Sequence, residues 1–290
     1  VGSLFAAGMT AILFPVVGWR GTFWVATFPV LIIVVLTFFL KESPAFENVK
    51  RVRRLRGEGR TDEADDLARS SGLQTSEQMG RSGLRMIFAR DLRLHTICLS
   101  AAWLFNWMAI QVFAVLGTTV LIGAKHVSFA SALIVLVLAN IAGFCGYIFH
   151  GFIGDIIGRR TTIIVGWFIG GCITAVMLFA ASGYGLVVAL YALSLFFLNG
   201  PYAAMLFYMA ESFPVHVRGI GPNTAHIMGP VGAIIGSAVL TALLGSGASM
   251  KVSAFVAGSL AMIISALVLL GARKVPGRSA KAGGTARYGS

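Results

Sequence analysis

The chain has 290 residues, of which 57% are hydrophobic and only 12% charged, with a mean hydropathy of +0.84. A soluble domain of this length cannot hide that much apolar surface, because surface-to-volume scaling leaves polar groups outside. The net charge of +12 is not a nucleic-acid signal here, because the basic residues flank apolar stretches of bilayer length, about 20 residues each.

Those stretches predict eight helical spans, at 2–18, 22–40, 95–122, 129–152, 162–182, 185–210, 220–245 and 252–272. Helices are favoured over barrel strands because the runs are continuous and lack alternation in segments of about 10 residues. The fold class is therefore an all-α integral membrane bundle. The chain opens on Val1 without a basic n-region or a small-residue cleavage site, so residues 1–18 are read as a span, not a signal peptide. The start is expected to fall within a longer protein. Residues 1–40 form a first pair of spans, and residues 41–94 a polar loop carrying twelve basic residues from Lys41 to Arg93. Residues 95–272 form a six-span unit, and residues 273–290 a disordered Gly/Ala/basic tail.

Within the loop, Thr61 followed by Asp62, Glu63, Asp65 and Asp66 reads as an N-capped helix with acidic residues at its positive end. Residues 83–93 mix basic and bulky apolar side chains and read as an amphipathic segment on the membrane surface. Twenty basic residues lie in the loop, the Arg159 and Arg218 turns and the tail. Only Arg20, Lys125 and Lys251 lie on the other side. The positive-inside rule places the loop and both termini in the cytoplasm, and a plasma (inner) membrane is expected.

Three loop elements carry more specific meaning. Gly151-Phe152-Ile153-Gly154-Asp155-Ile156-Ile157-Gly158-Arg159-Arg160 fits G-x-x-x-D-x-x-G-R-R. Its glycines permit a tight turn between closely packed helices, and Asp155 can pair with a nearby arginine. Glu211, Pro214 and Arg218 follow the sixth span, and Lys41-Glu42-Ser43-Pro44 follows the second. An ion-pair network of Asp155, Arg159, Glu211 and Arg218 is expected at one membrane edge, acting as a conformational latch with Gly151, Gly158 and Arg160.

With these three elements in order, the chain resembles the major facilitator superfamily from that fold's fifth helix onward. The first is similar to the repeated motif between helices 8 and 9, the second to the E-x-x-P-x-x-x-R element after helix 10, and the third to the E-S-P element after helix 6. The pattern of two spans, a long basic loop and six spans is similar to helices 5–12. The paired glutamines of sugar porters are reduced to Gln111 alone, and their terminal P-E-T-K-G element is replaced by Lys274-Val275-Pro276-Gly277-Arg278. The resemblance is closer to the organic-acid branches, including aromatic acid, dicarboxylate, lactate and sialic acid symporters. It implies a secondary transporter that moves an organic acid with protons by alternating access. Drug–proton antiport and sugar transport are the alternatives. The partners it implies are an organic anion, the coupling proton, the lipid bilayer and the preceding helices of the same polypeptide.

No Asp, Glu, Lys or Arg lies deep in a predicted span, so uncharged polar residues at membrane depth become the pocket candidates. These are Asn106 and Gln111 beside Trp107, then Asn140, Asn199, Tyr202, Asn223 and His226, with Tyr208 also considered. Trp103 and Trp107 lie one helical turn apart and share a face with Asn106. His226 is the histidine placed well inside a span; His150 sits near a span end and His216 in a loop. Asn199-Gly200-Pro201, Gly221-Pro222 and Gly229-Pro230 read as breaks that line a cavity or act as hinges. Interhelical packing is the alternative reading for each of these residues. No H-E-x-x-H, G-x-S-x-G or paired intramembrane carboxylate is present, so no enzyme, metal or cofactor is expected. Cys98, Cys145 and Cys172 are scattered and read as small core residues.

Overall fold

In the computed structural model, residues 2–39, 44–71, 83–214 and 217–275 are described, and no strand occurs among them. Helix α1 covers Gly2–Phe39, α2 Pro44–Gly57, α3 Thr61–Ser70 and α4 Gly83–Ile87. The bundle follows with α5 Arg93–Ile110, α6 Gly117–Lys125, α7 Phe129–Ile157, α8 Arg159–Phe179 and α9 Tyr184–Asn199. It ends with α10 Tyr202–Ser212, α11 Gly221–Gly245, α12 Met250–Ala254 and α13 Ala261–Val268. Two π-helical turns, Gln111–Val115 and Phe255–Leu260, join α5 to α6 and α12 to α13.

Seven helices among the described residues are long and apolar enough to cross a membrane, against the eight spans expected. The difference lies in α1. The spans predicted at 2–18 and 22–40 come as one helix interrupted only at Gly18, where φ is 66°. Arg20 stays within the helix and lies 5.1 Å from the centre of the Trp19 ring. Of this element only Pro15–Thr37 has the length and apolarity of a span. The other six spans fall where hydropathy placed them.

Helix α5 packs between α11 and α13, and α8 packs against α9, α10 and α13. Helix α7 contacts α8, α9 and α10 on one side and α1 on another. Small residues allow the closest approaches, as expected where lipid supplies no hydrophobic drive between helices. A Cβ on Gly236 of α11 would stand 2.9 Å from the Met108 Cα of α5. The outer surface is apolar. Ile134, Leu138, Ile141, Cys145, Ile148 and Phe152 are exposed at three- and four-residue spacing along α7, as are Ile227, Val231 and Ile234 along α11. Contiguous apolar stripes of this size belong against lipid or protein, not water.

Several expectations change in detail. Cys145 is exposed on the α7 stripe, Cys172 is half-buried, and only Cys98 is buried. Arg60 is the N-cap of α3 in place of Thr61, with Asp62 and Glu63 in the first turn. Helices α2 and α3 pair around Val52, Ala64 and Ala68, with Arg56 3.1 Å from Asp65. In the segment 83–93, Ile87 and Leu92 are buried against the bundle and Thr96 Oγ1 donates to the Ile87 carbonyl at 2.7 Å. Arg85, Phe88, Arg90 and Arg93 of that segment are exposed, so its buried apolar residues dock on the bundle and its basic ones face outward. Lys41, Glu42, Ser43, His216 and the tail beyond Val275 lie outside the described residues.

Candidate functional site

Two groups of polar side chains stand out, one inside the bundle and one at its arginine-bearing end. The inner group is built on α5. Positions 103, 106 and 107 share a helical face, which points toward α10 and α11. Trp103 is packed edge-on against Tyr202 (ring centres 5.3 Å apart) and against His226 (4.9 Å). Tyr202 owes its position to the break at Gly200-Pro201, which separates α9 from α10. Proline has no N–H and cannot continue the helical ladder. Trp167 of α8 donates to the Leu198 carbonyl beside the break, at 3.3 Å. The Tyr202 hydroxyl donates to Asn106 Oδ1, so that oxygen is taken.

The nitrogens are not taken. Trp103 Nε1, Asn106 Nδ2 and Trp107 Nε1 are buried without a hydrogen-bond partner among the described residues. Trp103 is 1% exposed and Asn106 fully buried. Both indole nitrogens crowd Gly229 of α11: a Cβ there would stand 2.9 Å from Trp103 Nε1 and 3.1 Å from Trp107 Nε1. A glycine is therefore required at 229 for the indoles to lie where they do. An unpartnered buried donor costs about 1–3 kcal/mol, and native structures keep few of them. Three on one face, with Asn106 Oδ1 already accepting from Tyr202, form a donor-rich surface without acceptors bound to it among the described residues.

The remaining candidates divide. Gln111 opens the π-turn one helical turn beyond Trp107. Asn140 Nδ2 donates within its own helix, to the Leu136 carbonyl at 2.8 Å. Asn223 is exposed and donates to the Gly219 carbonyl at 2.7 Å. Asn199 ends α9 and faces Gly143 of α7. Tyr208 is buried and donates to the Arg273 carbonyl at 2.6 Å. The structure thus brings Asn106, Trp107, Tyr202 and His226 together with Trp103. It turns Asn140 back onto its own helix and Asn223 onto the turn that precedes α11. Of the expected breaks, only Asn199-Gly200-Pro201 interrupts a span. Gly221-Pro222 starts α11, where a proline needs no N–H partner, and α11 runs on through Gly229-Pro230.

Sequence reasoning missed the two π-turns, which meet where the Phe113 ring packs over Gly258. The Tyr191 hydroxyl donates to the Phe113 carbonyl within the first of them. Such turns concentrate at functional sites, but no proline or charge announces them. It also passed over His95, which is buried between Ser212 Oγ (2.9 Å from Nε2) and the Arg273 N–H (3.2 Å from Nδ1). His150 is likewise buried, with Nδ1 2.9 Å from the Gly146 carbonyl.

The second group lies at the α7–α8 turn. Gly158 makes that turn at φ 95°, a conformation that favours glycine. Gly151 and Gly154 let α7 approach Ala203 and Ala204 of α10. Arg159 then reaches both Asp155 (3.2 Å) and Glu211 (2.7 Å) and covers the Phe207 ring at 4.6 Å. Arg160 donates to the carbonyls of Leu269 and Leu270 at the end of α13. Arg218 is exposed and makes no ion pair among the described residues, so the network holds three of its four expected members.

Comparison with known proteins agrees with this architecture. The chain is 29% identical over 272 residues to a cis,cis-muconate transport protein of Acinetobacter baylyi, covering 89% of this chain and 58% of that protein. It is 23% identical over 248 residues to a probable 4-methylmuconolactone transporter of Cupriavidus pinatubonensis (84% and 52%). It is 24% identical over 259 residues to a synaptic vesicle 2-related protein of Xenopus laevis (81% and 47%). The chain thus spans about half the length of these relatives. The family model of the Major Facilitator Superfamily matches residues 1–220, and with three quarters of its length inside that match the chain belongs to this superfamily of transporters, not to an enzyme family.

Proposed function

We propose that the chain is part of a secondary transporter that moves a small organic carboxylate, and that Trp103, Asn106 and Trp107 hold the carboxylate. The observation that carries this reading is the set of three buried N–H donors without partners. A carboxylate offers about four lone-pair sites and no donor, the complement of that set. Hydrogen bonds to a charged acceptor are worth roughly 1.5–3 kcal/mol each, enough to offset desolvation of the anion. The flat Trp103, Trp107 and Tyr202 rings suit an unsaturated or cyclic acid. The names of two relatives, a cis,cis-muconate transport protein and a probable 4-methylmuconolactone transporter, support the same class.

The rest of the reading follows the family. Residues 95–272 form one six-helix bundle and the kinked helix α1 belongs to the other, joined by the loop 41–94. The bundles rock around the donor cluster. The Arg159 turn latches one state and releases it in the other. The arginine-bearing end and both termini face the cytoplasm of a plasma membrane. Protons drive the uptake, with His226, packed edge-on against Trp103, as the side chain offered for the proton.

The test is uptake of labelled cis,cis-muconate into proteoliposomes carrying the full-length polypeptide, with and without an inward proton gradient. Saturable, gradient-stimulated uptake is expected. Proton release on adding a lipophilic cation, with no carboxylate uptake, would replace this reading with drug antiport.

A further inference from the structure

At the end of the bundle opposite Arg159, a partly open cavity of about 510 Å³ lies among α6, α7, α9 and the start of α12. Lys125 and Lys251 both line it, with His126, Ser128, Ser182 and Tyr184. Lys125 is half-buried and donates to the Ala181 carbonyl at 2.8 Å, which leaves two of its N–H groups free to point elsewhere. No carboxylate balances the pair. All eleven acidic residues lie at or before position 91, at 155 and at 211, none of them in the segments at this end. The cavity also receives the N-termini of two long helices, α7 with Ser128 as its cap and α9 with Gly183. Their free N–H groups add partial positive charge. Burial lowers the Lys125 pKa, and the facing Lys251 charge lowers it further. Two ammonium groups held together without an anion are poised to take one.

We propose that this cavity is an anion-binding vestibule in which Lys125 and Lys251 hold a small carboxylate at the mouth of the transporter. Its role as an entrance rests on the carboxylate-transport reading above, and the cavity's own chemistry does not. Lys125 and Lys251 raise the local concentration of the anion, and the neutral donors around Trp103 take it over at membrane depth. A charged site at the mouth followed by an uncharged one inside lets the anion enter readily without being trapped.

Thiol labelling tests this without any transport. Cys145→Ala and Cys172→Ala remove the accessible thiols, and Ser182→Cys places one in the cavity wall. The protein is reconstituted in nanodiscs of neutral lipid and labelled with anionic and cationic methanethiosulfonates. The anionic reagent is expected to react faster by roughly ten-fold or more, and millimolar fumarate to slow both saturably. Lys125→Gln with Lys251→Gln is expected to equalise the two rates and abolish the protection. Trp103→Phe, which disables the inner site, is expected to leave the protection intact; its loss there would overturn a separate vestibule. Equal rates in the unsubstituted lysine background, or protection by inorganic phosphate with none by fumarate, would also overturn the proposal. So would a slowing seen only with phosphatidylglycerol in the nanodisc, which would assign the cavity to a lipid headgroup.

Discussion

The two polar groups of the bundle are made of similar parts and finished differently. At the α7–α8 turn the two arginines meet charge or carbonyl oxygen. Arg159 lies within ion-pair distance of two carboxylates and against a ring, although its Nη1 makes only the 2.7 Å ion-pair contact with Glu211 and no well-directed hydrogen bond. Arg160 meets two carbonyls just beyond α13. Around Trp103 the side chains are buried as well, yet three N–H groups are without partners among the described residues. A satisfied network fixes the geometry of the chain that carries it. An unsatisfied one in an apolar interior costs about 1–3 kcal/mol per group, a cost that a partner from outside the chain can offset. On the proposed reading the first region holds and the second binds, and substitutions should separate the two.

The largest effect is expected at Gly229. Gly229→Leu drives a side chain into both indoles, already about 3 Å from a Cβ at that position. Binding of labelled cis,cis-muconate should fall below detection. Overpacking costs about 1–3 kcal/mol, so a thermal melt is the control for folding. Next comes Trp103→Phe, which keeps a ring and removes one donor. Loss of a hydrogen bond to a charged group should weaken binding by roughly ten- to a hundred-fold. Tyr202→Phe frees Asn106 Oδ1, placing an uncommitted acceptor beside the bound carboxylate. A neutral hydrogen bond is worth about 1 kcal/mol, so a weakening of roughly five-fold is expected in the same assay. Smallest is Arg159→Gln. Its carboxylate partners are about half exposed, so the stability loss should be about 1 kcal/mol or less, read as a small drop in melting temperature. Carboxylate affinity should not change, while the uptake rate should.

Much of this contrast is legible in the sequence. Long apolar runs gave six of the spans, and the glycine and arginine spacing located the turn at 158. Trp103, Asn106 and Trp107 could be placed on one face from their spacing alone. The spacing could not say whether their nitrogens were paired, because that depends on what α10 and α11 bring against them. Asn140 and Asn223 looked equivalent to Asn106 as polar residues at depth. Each instead bonds a carbonyl four residues back in sequence, an option open to any asparagine on a helix. Gly229-Pro230 resembled a break and is a docking surface in a continuous helix. The π-turns were invisible because an extra residue in a helical turn is set by neighbours such as Tyr191 and Gly258, not by composition.

The most direct test compares the protein with its Trp103→Phe, Trp107→Phe variant, measuring equilibrium binding of labelled cis,cis-muconate and ligand-free melting temperature on the same samples. Saturable binding that collapses in the variant, with a melting temperature little changed, is the predicted result. Binding that survives loss of both indole donors, or a melting temperature that falls in step with it, would contradict the assignment of these nitrogens to a ligand and return them to packing.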